Sequence, residues 1–224
     1  MTSSAEKTFV IGSSTPLSSA LSKFRKDVVF FGRTNPHKLS QWEKIPGQET
    51  KAGIDKAISA LNETLSLITL KDEAHLVCLQ GLSDKNWEAS INVNLLSVAL
   101  ITDSFCSFLE ERNVRGSITL IASASSYLGG KETYASTKAA LFGLMNSLQG
   151  KRKQVRINLI LPGAFEGGMT ADWDAEKKGN IGRQANAGRL ATSEEIAHAI
   201  NFCMENKYIS QSVINMTSGR VTIA

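Results

Sequence analysis

The stretch that decides the fold is Gly116–Gly150, which reads GSITLIASASSYLGGKETYASTKAALFGLMNSLQG. It begins with an apolar, β-branched run, Ser117–Ala122, and passes through the hydroxyl-rich Ser123–Ser126 to a turn at Gly129 and Gly130. Helix-forming residues then continue to its end. This order predicts a strand, a loop and a helix.

Two side chains in the predicted helix can do proton chemistry together. Tyr134 and Lys138 are four residues apart, so a helix projects them from the same face. A free phenol has a pKa of ~10, and an adjacent ammonium favours the phenolate, which brings the group towards a catalytic range. Ser123, at the carboxyl end of the preceding strand, is placed to hydrogen-bond the same reacting oxygen. The competing interpretation is that the pair is only a solvated helix face.

The rest of the chain repeats the alternation of apolar strand and helical stretch. Continuous apolar strands of this kind are typical of a parallel sheet covered on both faces. The sequence therefore predicts an α/β fold with a doubly wound, mostly parallel sheet, formed by residues 1–224 as a single domain. The expected strands are Thr8–Ile11, Val28–Phe31, Trp42–Ile45 as a possible short strand, His75–Leu79, Ser117–Ala122, Val155–Leu161 and Ser212–Met216.

Two further segments have recognisable signals. Asp84 has the residue type of a helix N-cap, and the helical pattern after it continues to Arg112. Ala164–Gly188 is polar and contains several glycines, so we expect it to form a lid over a pocket.

Charge gives little support to a nucleic-acid partner. The formal net charge is +4, but the only dense basic cluster is Lys151–Lys153 with Arg156. It directly follows a predicted helix, where cations offset the dipole, and no aromatic stripe accompanies it. We therefore expect no nucleic-acid partner, and a DNA-associated regulator is a remote alternative.

Cysteines, histidines and the first residues suggest a reduced, metal-free protein. The three cysteines are far apart in apolar surroundings, as core thiols are, and the three histidines are equally dispersed. We expect no metal site. Met1–Lys7 is short and polar, and the apolar run after it is too short and interrupted for a signal peptide or a membrane span. The expected location is cytoplasmic, with no membrane partner.

Motifs along nearly the whole chain identify a family resemblance. The chain resembles the short-chain dehydrogenase/reductases, a family with a Rossmann-like fold and a sheet of about seven strands. The matching motifs occur in the family's order: Asn94 in Val-Asn-Leu, Ser123 at its strand end, Tyr134 and Lys138 in Tyr-Ala-Ser-Thr-Lys, Arg156-Ile-Asn158 before Pro162-Gly163, and Gly188-Arg189 before Glu194-Glu195-Ile196-Ala197.

The resemblance implies a role for each motif residue. Tyr134 would be the general acid or base, and Ser123 would orient and polarise the substrate. Lys138 would lower the tyrosine pKa and bind the nicotinamide ribose, while Asn94 would hold a water of a proton relay. The hydride belongs to a nicotinamide cofactor. The implied cofactor-binding residues are Gly12, Ser13, Ser14, Leu17, Gly81, Tyr134, Lys138, Pro162 and Gly163.

The chain departs from the family pattern around the cofactor. Of three glycines usual in the first turn only Gly12 remains, with Pro16 and Ser18 at the other two places. Pro16 suits a first helical turn, and Ser18 could donate to phosphate. Gly167 stands where many relatives have a threonine. The acid common after the third strand has only Glu49 as a weak candidate.

The end of the second strand predicts the cofactor type. An acid there binds a ribose 2′-hydroxyl, whereas an arginine pairs with a 2′-phosphate. The chain has Arg33 followed by Thr34. We therefore predict NADP(H) as cofactor, in preference to NAD(H), with Arg33 and Thr34 at the phosphate. The alternative is that Arg33 is merely a solvated loop residue.

These observations favour an oxidoreductase that transfers hydride between NADP(H) and a small-molecule carbonyl/alcohol pair. The alternative is a catalytically silent relative that binds a nucleotide or protein partner. The sequence does not identify the substrate. Apolar residues on two helices also predict a homodimer or homotetramer, unless both stripes are simply core. They are Leu100, Ile101, Phe105, Phe108 and Leu109, then Leu141, Phe142, Met145 and Leu148.

Overall fold

The computed structural model describes residues 6–68 and 73–223. Of the N-terminal segment Met1–Lys7, only Glu6 and Lys7 are within the described residues, and they open the first strand. The strands are β1 (Glu6–Ile11), β2 (Val28–Gly32), β3 (Trp42–Lys44), β4 (Glu73–Cys78), β5 (Arg115–Ile121), β6 (Val155–Pro162) and β7 (Val213–Met216).

Helices connect these strands. They are α1 (Pro16–Phe24), α2 (Lys51–Leu67), α3 (Trp87–Ile91), α4 (Ser97–Glu111), α5 (Ser125–Leu128), α6 (Glu132–Gln149), α7 (Ala175–Gly182) and α8 (Ser193–Glu205). A π-helical turn, Asn92–Leu96, joins α3 to α4, and a 3₁₀ turn, Gly168–Thr170, precedes α7.

The seven strands form one sheet in the order β3-β2-β1-β4-β5-β6-β7, and every pair is parallel. The predicted doubly wound, Rossmann-like α/β fold is confirmed. Strand order reverses between β1 and β4, and this is where such sheets open a crevice at their carboxyl ends.

Alternation along the strands builds a core on each face of the sheet. Phe9 and Ile11 of β1 join the cluster under α2, α4 and α6, while Val10 between them joins the cluster under α1 and α8. The three cysteines are free and buried, as expected of core thiols.

Charged side chains close the amino edge of the sheet. Glu6 and Glu73 lie near the buried His75, close enough for a metal ion. Both carboxylates contact the Lys207 ammonium, and Glu6 also pairs with Arg25. With these cations in place, the group is an ion-pair cluster.

Two residues of the basic cluster noted in the sequence, Arg152 and Arg156, make contacts that hold the fold together. Arg152 pairs with Asp103 and Glu110 of α4. The Arg156 guanidinium donates to backbone carbonyls at and after the end of α8, such as those of Cys203 and Asn206 at 2.9 and 3.0 Å. The family motif residue Arg156 therefore anchors a helix end.

Two local predictions differ from the structure. The N-cap of α3 is Asn86, whose side chain accepts from the Ala89 N–H, and not Asp84, which accepts from the Asn86 N–H. Asp84 is therefore two residues too early. The short α5 after Ser123 was not expected, because the hydroxyl-rich sequence there is typical of a loop.

One helical stretch among the described residues, Trp87–Glu111, is long and apolar enough to span a membrane by length and composition alone. Its most apolar window is 44% buried in the fold, and core helices often pass the same test. This is weak evidence for a span.

Candidate active site

Loops after six strands meet at the carboxyl edge of the sheet and line two cavities. The first, which we call the switch-point cavity, has a volume of about 210 Å³ and lies among the loops after β1, β2, β3 and β4. The second, the tyrosine cavity, has a volume of about 770 Å³ and lies between the loop after β5, α6 and the segment after β6. Gly81 and Leu82 of the first cavity adjoin Ser83 of the second.

Tyr134 and Ser123 both line the tyrosine cavity. A side-chain hydrogen bond joins them. Burial raises the pKa of Tyr134 to about 12, although the bond with Ser123 opposes the rise. In this structure the phenol therefore keeps its proton at neutral pH, and the expected lowering of its pKa by Lys138 is not seen.

Lys138 is buried and held by backbone carbonyls. Its Nζ donates to the Gln80 carbonyl at 2.6 Å and to the Ile121 carbonyl at 2.8 Å. It lies 5.9 Å from the centre of the Tyr134 ring. Burial lowers the pKa of Lys138 to about 8. The two predicted neighbours are thus together, with the ammonium fixed at the ends of β4 and β5.

Asn94 has a positioning role in this structure. It lies in the π-helical turn between α3 and α4 and is fully buried. Its side chain accepts from the Leu82 N–H at 2.6 Å and donates to the Leu82 carbonyl and to the Thr137 hydroxyl, each at 2.9 Å. Asn94 thereby ties the loop after β4 to α6. Its role in a proton relay stays a prediction.

The loop after β1 keeps its one essential glycine. Gly12 has φ +89°, and a Cβ there would lie 2.9 Å from the backbone nitrogen of Gln80. Ser13 is fully buried beside Gly32. Leu17 and Ser18, predicted near the cofactor, are buried on the inner face of α1 and are not among the residues that line the switch-point cavity.

The two departures at Pro16 and Gly167 meet in space. Pro16 opens α1, as expected of a proline in a first turn. Gly167 has φ +87°, and a Cβ on it would lie 2.7 Å from Cγ of Pro16. The proline ring therefore occupies the space that a larger residue at Gly167 would need.

The predicted phosphate-binding residues form one group at the ends of β1 and β2. The Ser14 hydroxyl donates to the Thr34 carbonyl at 3.1 Å, and the two hydroxyls are 3.2 Å apart. Arg33 Nη1 donates to Glu49 Oε1 at 3.0 Å. Arg33 and Glu49 both line the switch-point cavity. Glu49, the weak candidate for the acid common after the third strand, therefore faces Arg33, the residue predicted to bind the phosphate.

The remaining predicted cofactor residues lie along the same edge. Gly81 lies between Lys138 and Met169, where a Cβ would make ordinary contacts of 3.6 to 3.7 Å. Pro162 ends β6, and its carbonyl accepts from the Ala124 N–H at 2.8 Å. Pro162 and Gly163 both line the tyrosine cavity.

Unpartnered buried polar atoms bear on whether a dinucleotide can bind at the carboxyl edge of the sheet. Among the described residues, several buried side chains around the switch-point loops have a polar atom with no hydrogen-bond partner: Ser13, Thr15, Ser18, Gln48 and Gln80. Such orphan groups are uncommon in native proteins and call for a polar ligand or water. The donor-rich loops therefore fit a nicotinamide dinucleotide, with Arg33, Ser14 and Thr34 at one end and Lys138 and Tyr134 at the other.

Sequence reasoning missed several residues that line the two cavities. Gln48 and Gln80 line the first, and Lys131 and Arg220 line the second. Lys177, which also lines the second cavity, lies within the segment Ala164–Gly188 that was expected to cover a pocket. Gln80 had a signal, since it directly precedes Gly81, which the resemblance implied to be at the cofactor. The others come from loops and helices far apart in the chain, so no local spacing could have grouped them.

Comparison with known proteins identifies the class. Residues 50–178 match the family model described as short chain dehydrogenase. The chain belongs to the short-chain dehydrogenase/reductase family.

Individual relatives agree with this assignment. An acetoacetyl-CoA reductase of Synechocystis is 32% identical over 63% of this chain and 61% of its own length. A 3-oxoacyl-[acyl-carrier-protein] reductase of Thermotoga maritima is 26% identical over 85% of this chain and 78% of its own. A 4-hydroxyisoleucine dehydrogenase complexed with NADH shares the fold, with a TM-score of 0.83 at 18% identity over 97% of this chain and all (100%) of the other.

Proposed function

We propose that the protein is an NADP(H)-dependent oxidoreductase that reduces a carbonyl substrate in the tyrosine cavity. The observation that carries the proposal is the meeting of Ser123, Tyr134 and the buried Lys138 at the carboxyl ends of β4 and β5. A binding module has no physical need for this set. A bound NADPH would supply the hydride, and the chain's own residues handle the proton.

Tyr134 is protonated at neutral pH, as a proton donor for reduction must be. Burial raises its pKa to about 12, so a nearby positive charge has to stabilise the phenolate for the proton to be donated readily. Tyr134 would donate its phenolic proton to the carbonyl oxygen of the substrate and become a phenolate. Ser123 would donate a hydrogen bond to the same oxygen. Lys138, fixed by two carbonyls, would hold positive charge close to that phenolate and stabilise it.

Charge around the tyrosine cavity favours an anionic substrate. Among the described residues that line it, Lys131, Lys177 and Arg220 are cations and none is acidic. Their polar contacts are neutral: Lys131 donates to the Ser83 carbonyl, and Arg220 to the Gln184 side chain. Lys177 lies over the Trp173 ring. Together with the two acyl-thioester reductases among the relatives, this supports a 3-oxoacyl thioester on a phosphate-bearing carrier.

Tyr134→Phe tests the reaction. The change keeps the ring and its packing but removes the proton, so we expect turnover to fall by about 10² to 10⁴ while NADPH affinity stays the same. NADPH absorbance with a panel of 3-oxoacyl thioesters, simple ketones and sugars measures turnover, and calorimetry measures affinity.

The matched control is Tyr127→Phe, because Tyr127 lies nearby against Phe142 and is not among the residues that line the tyrosine cavity. It should leave turnover unchanged. Full activity of Tyr134→Phe would contradict the mechanism. NADPH binding without reduction of any compound in the panel would favour the alternative, a silent relative that binds nucleotide.

A further inference from the structure

A separate cavity lies at the amino edge of the sheet, at the opposite end of the strands from the candidate active site. Its volume is about 550 Å³, which is within the usual range for small-molecule sites, and we call it the amino-edge cavity. Its walls come from the first residues of β4 and β5, the turn before β6 and the segment after α8. Its lining contains one acid and four cations: Glu73, Arg115, Lys153, Arg156 and Lys207.

The acid in this lining is already paired. Glu73 Oε1 accepts from Arg156 Nη2 at 3.3 Å, and Glu73 Oε2 contacts the Lys207 ammonium. Lys207 also pairs with Glu6 at 3.2 Å, and Glu6 pairs with Arg25 at 2.8 Å. Three cations thus surround two carboxylates, so this group has no excess negative charge for the other two cations of the cavity.

Arg115 and Lys153 are the unpaired cations of the amino-edge cavity. Both residues are exposed, and neither side chain forms a hydrogen bond or an ion pair within the part of the chain that the structure describes. Arg115 is the register partner of Glu73 in the neighbouring strand, but the Glu73 carboxylate is bound by Arg156 and Lys207. Two positive charges from different strand ends therefore line one cavity without a described group to offset them.

Charge and shape together indicate the chemistry of a ligand. A phosphate monoester carries nearly two negative charges at neutral pH, which two unpaired cations would offset. A guanidinium can bind two phosphate oxygens at once, and an ammonium adds a point charge beside it. The concave form favours a small molecule over nucleic acid, which binds to basic stripes along a surface.

The uncharged part of the lining favours a polar body on this ligand. Two amide side chains, Asn113 and Gln154, line the cavity, and no apolar side chain of the described residues does. Amide groups can both donate to and accept from hydroxyl groups. We propose that the amino-edge cavity binds a small sugar phosphate, with Arg115 and Lys153 at the phosphate and the amides beside the hydroxyl groups. This site goes beyond the proposed function, since it lies away from the cofactor and the substrate.

Calorimetry without cofactor tests the proposal. The probes are ribose 5-phosphate and glucose 6-phosphate, compared with the parent sugars and with inorganic phosphate. We expect the wild type to bind at least one sugar phosphate more tightly than either of its parts. In the double variant Arg115→Gln with Lys153→Gln, this affinity should fall at least about tenfold, because two charge-assisted contacts are lost. Arg33→Ala should leave it unchanged, which separates the amino-edge cavity from the predicted phosphate ligand of the cofactor.

The matched control is the double variant Arg112→Gln with Lys151→Gln. It removes the same charge from the same two connections, and neither residue lines the amino-edge cavity. Both residues are exposed, as Arg115 and Lys153 are, so all four changes should leave the fold intact. The control should keep the wild-type affinity.

Three results would overturn the proposal: no binding of either sugar phosphate, an equal loss of affinity in the two double variants, or loss of binding in Arg33→Ala alone. Tighter binding of a short DNA duplex than of either probe would also overturn it and would indicate a nucleic-acid surface. NADPH affinity should be unchanged in Arg115→Gln with Lys153→Gln, so failure of this proposal leaves the proposed function intact.

Discussion

Lys138 carries a positive charge into the interior without an acidic partner among the described residues. Two backbone carbonyls solvate the ammonium, and burial still lowers its pKa from 10.5 to about 8. Folding therefore favours the neutral amine, and a charged Lys138 reduces stability at neutral pH. The proposed catalytic role of Lys138 would explain why a less costly residue does not stand there.

This shift predicts a pH-dependent difference between the wild type and Lys138→Met. Between pH 8 and pH 10.5 the unfolded chain keeps a proton that folded Lys138 has lost, so wild-type stability rises with pH there. Relative to the variant, we expect a gain of roughly 3 kcal/mol across the window, from a shift of about 1.4 kcal/mol per pH unit. Urea unfolding at its two ends measures the difference. If the difference in unfolding free energy between the wild type and Lys138→Met stayed constant with pH, the charge of Lys138 would not destabilise the fold.

Glu49 pairs with Arg33 and would compete there with the 2′-phosphate of the proposed cofactor. The pair is largely exposed, with 64% of the Arg33 side chain and 36% of the Glu49 side chain accessible, so it contributes little to stability. We predict that Glu49→Gln frees Arg33 and raises NADPH affinity about three- to tenfold, with no change for NADH. Calorimetry with both cofactors measures the effect.

The control is Asp55→Asn, which removes a carboxylate that pairs with Lys51 on α2. It should change neither affinity. Arg33→Ala should lower NADPH affinity specifically, and equal wild-type affinities for NADP and NAD would contradict the assignment of Arg33 to the phosphate.

Among elements, the loop after β1 and the segment after β6 depend on each other. Pro16 and Gly167 each depart from the family pattern, and the contact between them explains both. A side chain at position 167 would collide with the proline ring and would also have to adopt φ +87°. The departures are therefore one structural change and not two independent losses.

This contact predicts non-additive substitutions. Gly167→Thr restores the common family residue, yet we expect it to lower NADPH affinity by about tenfold or more, because it displaces Pro16. In the double variant Pro16→Gly with Gly167→Thr, the collision is relieved and affinity should recover. A double-variant cycle in calorimetry gives the coupling. Additive effects would show that the contact does not link the two segments.

The strands and the main helices were predictable, because their apolar residues recur with a clear periodicity. All seven strands and the helix of Tyr134 are indicated by patterns in the sequence. The π-helical turn around Asn94 was not predictable, since one extra residue in a turn leaves the apolar period almost unchanged. The ion pair between Arg33 and Glu49 was not predictable either, because it depends on how two loops approach each other.

At the scale of the whole molecule, most residues proposed for an interface are core. Ile101, Phe105, Phe108, Leu109, Leu141 and Met145 are buried. Phe142 and Leu148 pack partly against the same core. Leu100 of α4 is half-buried and is not among the residues packed on that core. Most of the apolar residues of α4 and α6 that were proposed for an interface are thus accounted for by the alternative, that they belong to the core.

The prediction of a homodimer or homotetramer therefore depends on Leu100 and the exposed apolar residues near it in sequence. Trp87 and Ile91 of α3 are 51% and 41% exposed. We expect light scattering at micromolar concentration to give a dimer or a tetramer, and Leu100→Lys to shift it towards monomer. Lys56→Ala, on exposed α2 surface, is the control. A monomeric wild type would contradict the prediction.

The contact between Pro16 and Gly167 also has a kinetic consequence. Gly167 lines the tyrosine cavity, and Pro16 opens the helix that follows the Gly12 loop of the switch-point cavity. Gly167 and Gly168 both have positive φ, so the backbone can swing there without hindrance from a Cβ. On the proposed function, we expect departure of the spent cofactor to wait for this segment to open, so that cofactor release and not hydride transfer limits turnover.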